Sequence, residues 1–272
     1  ILKKRGHDPI LCEATDTLGG QFLTAGEAPR KKEMKAAAIS MAKKAERLGV
    51  DIRMNTKVTP EMIEEIKPHT VMNAIGAESI IPPIPGVDKA FVKDSHDVLD
   101  GKAEATGNVV VIGGGMVGME TAEYLAEKGA KVSVLEMLPD ICSDMGTTRK
   151  ICMGEEIQKS GIIPVTSVKV TEIGDNVVIG EKDGEKVEFP CDAAVLAIGA
   201  KKRDGSALAE TCYKNGIGYF EIGDAAMARR AINATREAMD AALTFDREDV
   251  HRDVSKPKKL VFITGASGMM GG

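Results

Sequence analysis

Residues 108–136 constrain this chain more than any other stretch. Asn108 leads into Val109-Val110-Val111-Ile112, a continuous β-branched run of the kind a strand buried on both faces requires. Gly113-Gly114-Gly115-Met116-Val117-Gly118 follows at once. Met119 to Lys128 then reads as a helix closed by Gly129, and Lys131-Val132-Ser133-Val134-Leu135 as a second strand ending on Glu136. Strand, glycine turn, helix, strand and acid in that order describe a β-α-β unit built to hold a dinucleotide. Gly113 permits the tight turn out of the strand. Gly115 lets backbone approach a pyrophosphate, and Gly118 lets the helix pack closely. The helix start, with Met116 and Val117, presents N–H groups and a positive dipole end to phosphate.

Glu136 lies eighteen residues after Gly118, near the spacing at which an acid accepts both ribose hydroxyls. A carboxylate there also repels a 2′-phosphate. The next residues are Met137, Leu138 and Pro139, and no arginine occurs until Arg149, so NADH is expected over NADPH.

Other classes of function find little support. The chain has 272 residues and a net charge of −5 with no basic block, so nucleic acid is not an expected partner. No apolar run reaches the length of a membrane helix. The five cysteines form no C-x-x-C pair, and the four histidines are equally scattered. No metal site is expected, and the thiols read as buried or inert in a reducing cytoplasm.

Residues 1–13 look like the back half of a second such unit: a helix end stopped by Gly6, then Asp8-Pro9-Ile10-Leu11-Cys12 ending on Glu13. A surface strand that happens to end in Glu is the plainer alternative. Leu18-Gly19-Gly20-Gln21 is a turn whose backbone can approach a ligand. Residues 31–48 read as an amphipathic helix with Met34, Ala38, Met41, Ala45 and Leu48 on one side, and Val50 to Met54 as a strand. Val71-Met72-Asn73-Ala74-Ile75-Gly76-Ala77 and Ala194-Val195-Leu196-Ala197-Ile198-Gly199-Ala200 are matching strands that end in small-residue turns. Gly218 to Asp224 is a strand ending in Gly223-Asp224, with a helix expected from Ala225 to Leu243.

In this order, Arg5-Gly6-His7 with Glu13, Leu18 to Gln21, Ala74 to Ala77, Ile84-Pro85-Gly86, Gly113 to Glu120, Ala197 to Ala200 and Gly223-Asp224 resemble the two-dinucleotide flavoproteins. The resemblance runs over roughly residues 1–245. In detail the chain is similar to the C-terminal half of the 2,4-dienoyl-CoA reductase, enoate reductase and trimethylamine dehydrogenase group. Those are NADH:flavin oxidoreductases with an N-terminal barrel of the old yellow enzyme type. The resemblance implies that Glu13 holds the FAD adenosine ribose and that Gly19, Gly20 and Gln21 pass near the flavin nucleotide. It implies that Ala74 and Gly76 flank the dinucleotide, and that Gly223-Asp224 meets the ribityl or pyrophosphate region. Gly113, Gly115, Gly118 and Glu136 would bind NADH, and Gly199 would line the nicotinamide side. No side chain is assigned acid, base or other catalytic work.

The sequence departs from that group in three ways. The first glycine fingerprint, the barrel and the iron–sulfur cysteines are all absent from it, so FAD is expected to bind weakly or not at all. Ile75 stands where a Thr is usual. The redox cysteine pair of the disulfide reductases is lacking, so thiol exchange is not the expected chemistry.

The fold class expected is therefore α/β, with two Rossmann-like three-layer nucleotide-binding domains, the NAD domain inserted in the FAD domain, and the N-terminal strand-turn-helix of the latter missing. Residues 1–86 with 200–250 would form the FAD-binding-like domain and 87–199 the NAD domain. Within the latter, Val165–Ile173, Asn176–Glu181 and Lys186–Phe189 would form an antiparallel meander with a hairpin at Asp183-Gly184. Residues 251–272 read as a linker and a strand, Leu260 to Ile263, before Thr264-Gly265-Ala266-Ser267-Gly268-Met269-Met270-Gly271. That turn resembles the opening of short-chain dehydrogenases, and a fusion to one is the favoured origin. Filling of the vacant strand position in the flavin sheet, and a plain tail, are the other two readings.

The expected function is hydride transfer from NADH to FAD and onward to a barrel domain or electron-transfer partner, in a soluble cytoplasmic oxidoreductase inactive as an isolated piece. The alternative is a nucleotide-binding module that binds NADH but no flavin and does not turn over. Oligomeric state is left open, a homo-oligomer included.

Overall fold

The structure is a computed structural model that describes residues 1–143, 145–246 and 259–265, with residues 147–149 described by their backbone alone. The chain forms two compact units: Ile1–Gly26, Glu33–Glu78 and Lys201 onward make the first, and Glu27–Lys32 with Ser79–Ala200 make the second. The expected boundaries differ from these at 27–32, at 79–86, at Ala200 and in the tail.

The first unit opens with one 3-10 turn, Lys3–Arg5, which Gly6 ends at φ 79°. Its elements up to residue 79 are β1 (Asp8–Cys12), α1 (Gln21–Ala25), α2 (Lys32–Arg47), β2 (Asp51–Arg53), α3 (Pro60–Ile66), β3 (Thr70–Asn73) and β4 (Ala77–Ser79). Helix α3 starts where Thr59 accepts a hydrogen bond from the Met62 N–H and Pro60 occupies the first turn. In α2 the inward face differs from expectation: Ala38 is buried, while Met41 is 44% exposed.

The second unit runs β5 (Val92–Asp94), α4 (Ser95–Leu99), β6 (Asn108–Ile112), α5 (Met116–Glu127), β7 (Lys131–Leu135), α6 (Thr147–Ser160), β8 (Ile163–Val165), β9 (Lys169–Ile173), β10 (Val177–Lys182), β11 (Glu185–Pro190) and β12 (Ala193–Leu196). Strands β5-β12-β6-β7-β8 form a parallel sheet in that order. Alternate residues of β6 feed two cores. Val109 and Val111 pack with Met119 and Leu125 of α5. Val110 and Ile112 pack with Ile173 and Val178 of the meander β9-β10-β11. The unit is thus helix, sheet and meander in three layers. Asp183 and Gly184, at φ 52° and 83°, make the hairpin turn. The meander begins at Lys169, not Val165. Val165 instead ends β8, which pairs with β7 in the parallel sheet.

The chain then returns through β13 (Ala200–Lys202), α7 (Ser206–Lys214), β14 (Gly218–Glu221) and α8 (Ala231–Thr244) to β15 (Leu260–Thr264). The helix expected from Ala225 begins only at Ala231, because Gly223–Ala225 is a 3-10 turn and the Asp224 side chain accepts the Arg229 N–H at 3.1 Å. The first unit's sheet has the order β14-β3-β15-β1-β2, all parallel. Helix α8 covers one face, where Ala241 and Ala242 meet Leu11, Met72, Val261 and Ile263. Ile63 of α3 and Leu208 and Cys212 of α7 meet Ile10, Val71 and Phe262 on the other.

Strand β15 therefore stands in the middle of the first unit's sheet. The linker expectation for 251–258 and the rest of the glycine-rich turn, from Ala266, lie outside the described residues.

Candidate dinucleotide-binding sites

In a parallel sheet every strand ends at the same edge, and ligands of such folds lie beyond the carboxyl ends. In the second unit that edge carries all the residues expected from the glycine-rich turn. Gly113 leaves β6 at φ 110°, and a Cβ there would stand 2.4 Å from the Ala197 carbonyl oxygen. Gly118 is tighter still, since its Cβ would be 1.9 Å from the Gly113 oxygen. The turn and the first turn of α5 are thus in backbone contact. Gly115 is different: nothing lies within 4 Å of where its Cβ would be. It is also the exposed residue before α5 and supplies no capping side chain, so no side chain caps the start of the helix at Met116 and Val117. This is the shape a phosphate cradle requires.

Glu136 follows β7, and its carboxylate reaches back to the turn, accepting the Gly114 N–H at 2.7 Å and the Leu138 N–H at 2.8 Å. Gly199, at φ 104°, ends the neighbouring β12 segment, where its carbonyl accepts the Ile80 N–H at 3.0 Å. A cleft of about 470 Å³ opens at the other end of the sheet, lined by Asn108, Lys131 and Ile163 among others. It is remote from the glycine turn.

Sequence reasoning missed a group of charges on α5. Glu120 and Glu123 are buried. Lys31 pairs with Glu120, while Arg30 pairs with Glu123 at 2.8 Å and with Glu156 at 2.9 Å. Burial pushes the Glu123 carboxyl up, and the Arg30 guanidinium opposes that shift. Arg30 and Lys31 lie about ninety residues from Glu123 and Glu120 in sequence, and only the helical i, i+3 spacing of the two glutamates hinted at a shared face.

In the first unit, Glu13 follows β1 and is buried, its Oε1 accepting the Thr15 N–H at 2.9 Å and the Thr15 hydroxyl at 2.8 Å. Ala74 is buried at the end of β3, and Gly76 turns at φ 79°. Gly223 ends the β14 segment, donating its N–H to Glu237 at 2.9 Å, and Asp224 beside it is buried, which raises its carboxyl pKa. Gly19 and Gly20 have φ of 128° and 44°. A Cβ on Gly19 would stand 2.7 Å from Leu23, so it serves local packing. Gln21 starts α1. Glu13, Ala74, Gly76, Gly223 and Asp224 thus share the carboxyl edge.

Four of the five cysteines are buried. Burial pushes the thiols of Cys12, Cys191 and Cys212 up to about 11, which suppresses thiolate chemistry. Among the described residues no cluster of His, Cys, Asp or Glu could hold a metal ion, and no helix is long and apolar enough to cross a membrane.

The family model for pyridine nucleotide-disulphide oxidoreductases matches residues 61–225. The chain belongs to this family. A bilirubin reductase from Mediterraneibacter gnavus is 41% identical over 201 residues, covering 74% of this chain and 31% of that protein. An NADH oxidase from Thermoanaerobacter brockii is 38% identical over 244 residues, covering 88% of this chain and 37% of its own length. This chain spans about a third of the length of those curated relatives. Among solved structures, a 2-naphthoyl-CoA reductase superposes with a TM-score of 0.84 at 28% identity, over 89% of this chain and 37% of that one. A histamine dehydrogenase from Rhizobium sp. 4-9 does so with a TM-score of 0.78 over 94% of this chain and 42% of that one, and at 22% identity it supports the fold alone.

Proposed function

We propose that this chain is the dinucleotide-binding part of an FAD-dependent NADH oxidoreductase. The observation that carries the reading is the open cradle at Gly115, framed by Gly113, Gly118 and Glu136, in a member of the pyridine nucleotide-disulphide oxidoreductase family. The nicotinamide and flavin, when bound, supply the hydride chemistry, and the protein supplies position and electrostatics. Gly113, Gly115 and Gly118 hold backbone clear of the NADH pyrophosphate. The N–H groups at Met116 and Val117 would donate to it, and Gly199 borders the same edge. Glu13, Ala74, Gly76, Gly223 and Asp224 serve FAD in the first unit, with Gly19, Gly20 and Gln21 on the connection after Glu13. The relatives that bracket this reading are themselves an NADH oxidase and a bilirubin reductase, each about three times as long as the matched region. Electrons would then pass on to a flavin-barrel domain or a protein partner, in a cytoplasmic setting.

Cofactor choice follows from Glu136. Its carboxylate already lies over the turn, so a ribose diol can exchange hydrogen bonds with it and a 2′-phosphate is repelled. NADH is expected to bind at least tenfold more tightly than NADPH. Glu136→Ala should weaken NADH and narrow the gap, as read by quenching of nicotinamide fluorescence. Equal affinity for both cofactors in the unaltered chain would place Glu136 away from the ribose.

A further inference from the structure

The two parallel sheets of this chain repeat one another, and the repeat extends to single hydrogen bonds. In the second unit β6 lies between β12 and β7; in the first, β15 lies between β3 and β1. The glycine that leaves β6, Gly113, donates its N–H to the Leu135 carbonyl at 2.8 Å, the last residue of β7. The glycine that leaves β15, Gly265, donates its N–H to the Cys12 carbonyl at 3.0 Å, the last residue of β1. On the other side, the Ala197 N–H reaches the Ile112 oxygen at 2.8 Å, and the Ala74 N–H reaches the Thr264 oxygen at 2.8 Å. The acids match as well: the Glu136 N–H reaches the end of β8 at Val165, and the Glu13 N–H reaches the end of β2 at Arg53.

The two glycines are under the same constraint. Gly113 has φ 110°, and its Cβ would lie 2.4 Å from the Ala197 oxygen. Gly265 has φ 69°, and its Cβ would lie 2.5 Å from the Ala74 oxygen and 2.3 Å from the Ile75 Cα. Both positions need a left-handed backbone with no side chain. Thr264, buried behind Gly265, is tied to β3 through the Asn73 side chain at 3.4 Å.

We infer that β15 and Gly265 supply the central strand and the opening glycine of the second dinucleotide site, so that the first unit is completed by a strand that comes last in its order rather than first. The ligand class is an adenine dinucleotide with Glu13 at its ribose, and on the reading above it is FAD. This inference rests on that reading for the identity of the dinucleotide. It reverses the expectation from sequence that FAD binds weakly or not at all, because the position assumed vacant there is filled.

The test uses the full chain, titrated separately with FAD and with NADH and followed by flavin fluorescence quenching and nicotinamide fluorescence. The unaltered chain should bind both. Gly265→Val should weaken FAD at least tenfold and leave NADH unchanged. FAD binding retained by a folded Gly265→Val variant overturns the inference and leaves the two-dinucleotide reading standing. Failure of the unaltered chain to bind FAD while it binds NADH overturns both the completed site and the flavin half of the proposed function. Should the variant fail to fold, hydrogen–deuterium exchange on the unaltered chain decides: amides of residues 261–265 should slow further when FAD binds. Flavin binding with no change in those amides overturns the inference.

Discussion

Gly118→Val is expected to reduce NADH affinity by at least a hundredfold. The substituted Cβ would stand 1.9 Å from the Gly113 oxygen and 3.3 Å from the Ala197 side chain, and neither the turn nor the strand behind it can yield without moving backbone. Helix α5 must slide away from β6, and the cradle between Gly113 and the helix start opens as it does so. Because Met119, Ala122 and Leu125 of α5 fill the core of the second unit, the same shift costs stability, about 1–3 kcal/mol or more by the scale of overpacked cores. Gly115→Ala separates the two effects. Nothing stands within 4 Å of its Cβ position, and its φ of −71° suits any residue. This variant should keep the parent's melting temperature and lose NADH affinity alone. Calorimetric titration beside a thermal melt checks both. A Gly118→Val chain that binds NADH like the parent would show that the turn is not the nucleotide site.

The legibility of this protein in its sequence followed the distance between interacting residues. The β6-turn-α5-β7 unit and Glu136 were legible because all of it lies within about thirty consecutive residues, and each glycine has a separate local reason to be there. The matched endings at Ala74-Ile75-Gly76 and Ala197-Ile198-Gly199 were legible for the same reason. The start of α8 was not, since residues 225–230 contain no helix breaker. What delays the helix is a side-chain contact from Asp224 to the Arg229 backbone. Helix α3 carries its start signal in Thr59-Pro60, but its apolar positions, Met62, Ile63 and Ile66, are too few to show a period. Contacts across long stretches of chain were illegible: Arg30 and Lys31 with the α5 glutamates, or His7 with Asp246 at 3.2 Å, both of them buried. For β15 the run Leu260 to Ile263 showed a strand, while its partners in β1 and β3 lie some 190 residues or more away. Periodicity cannot choose among sheet positions at that range.

The position of β15 carries the second large prediction: Phe262→Ala should destabilise the first unit by about 3–5 kcal/mol, the range for deleting a buried aromatic side chain. Phe262 is completely buried, and it meets Ile10, Ile63, Val71, Leu208 and Cys212, which come from β1, α3, β3 and α7. A strand between two others is also the element whose loss leaves the most backbone unpaired, since β15 bonds to β1 on one side and β3 on the other. Against a domain stability of about 5–15 kcal/mol the loss is a large share. The two units need not melt together, so the measurement is a thermal scan with and without saturating NADH, which stabilises only the unit that binds it. The transition insensitive to NADH should move down by several degrees in Phe262→Ala, and the NADH-sensitive one should stay. Phe262→Leu, which keeps most of the buried volume, should recover much of the loss. A Phe262→Ala chain that melts with its parent would mean that β15 contributes nothing to the sheet in solution. The match between Gly265 and Gly113 would then have no structure to stand on.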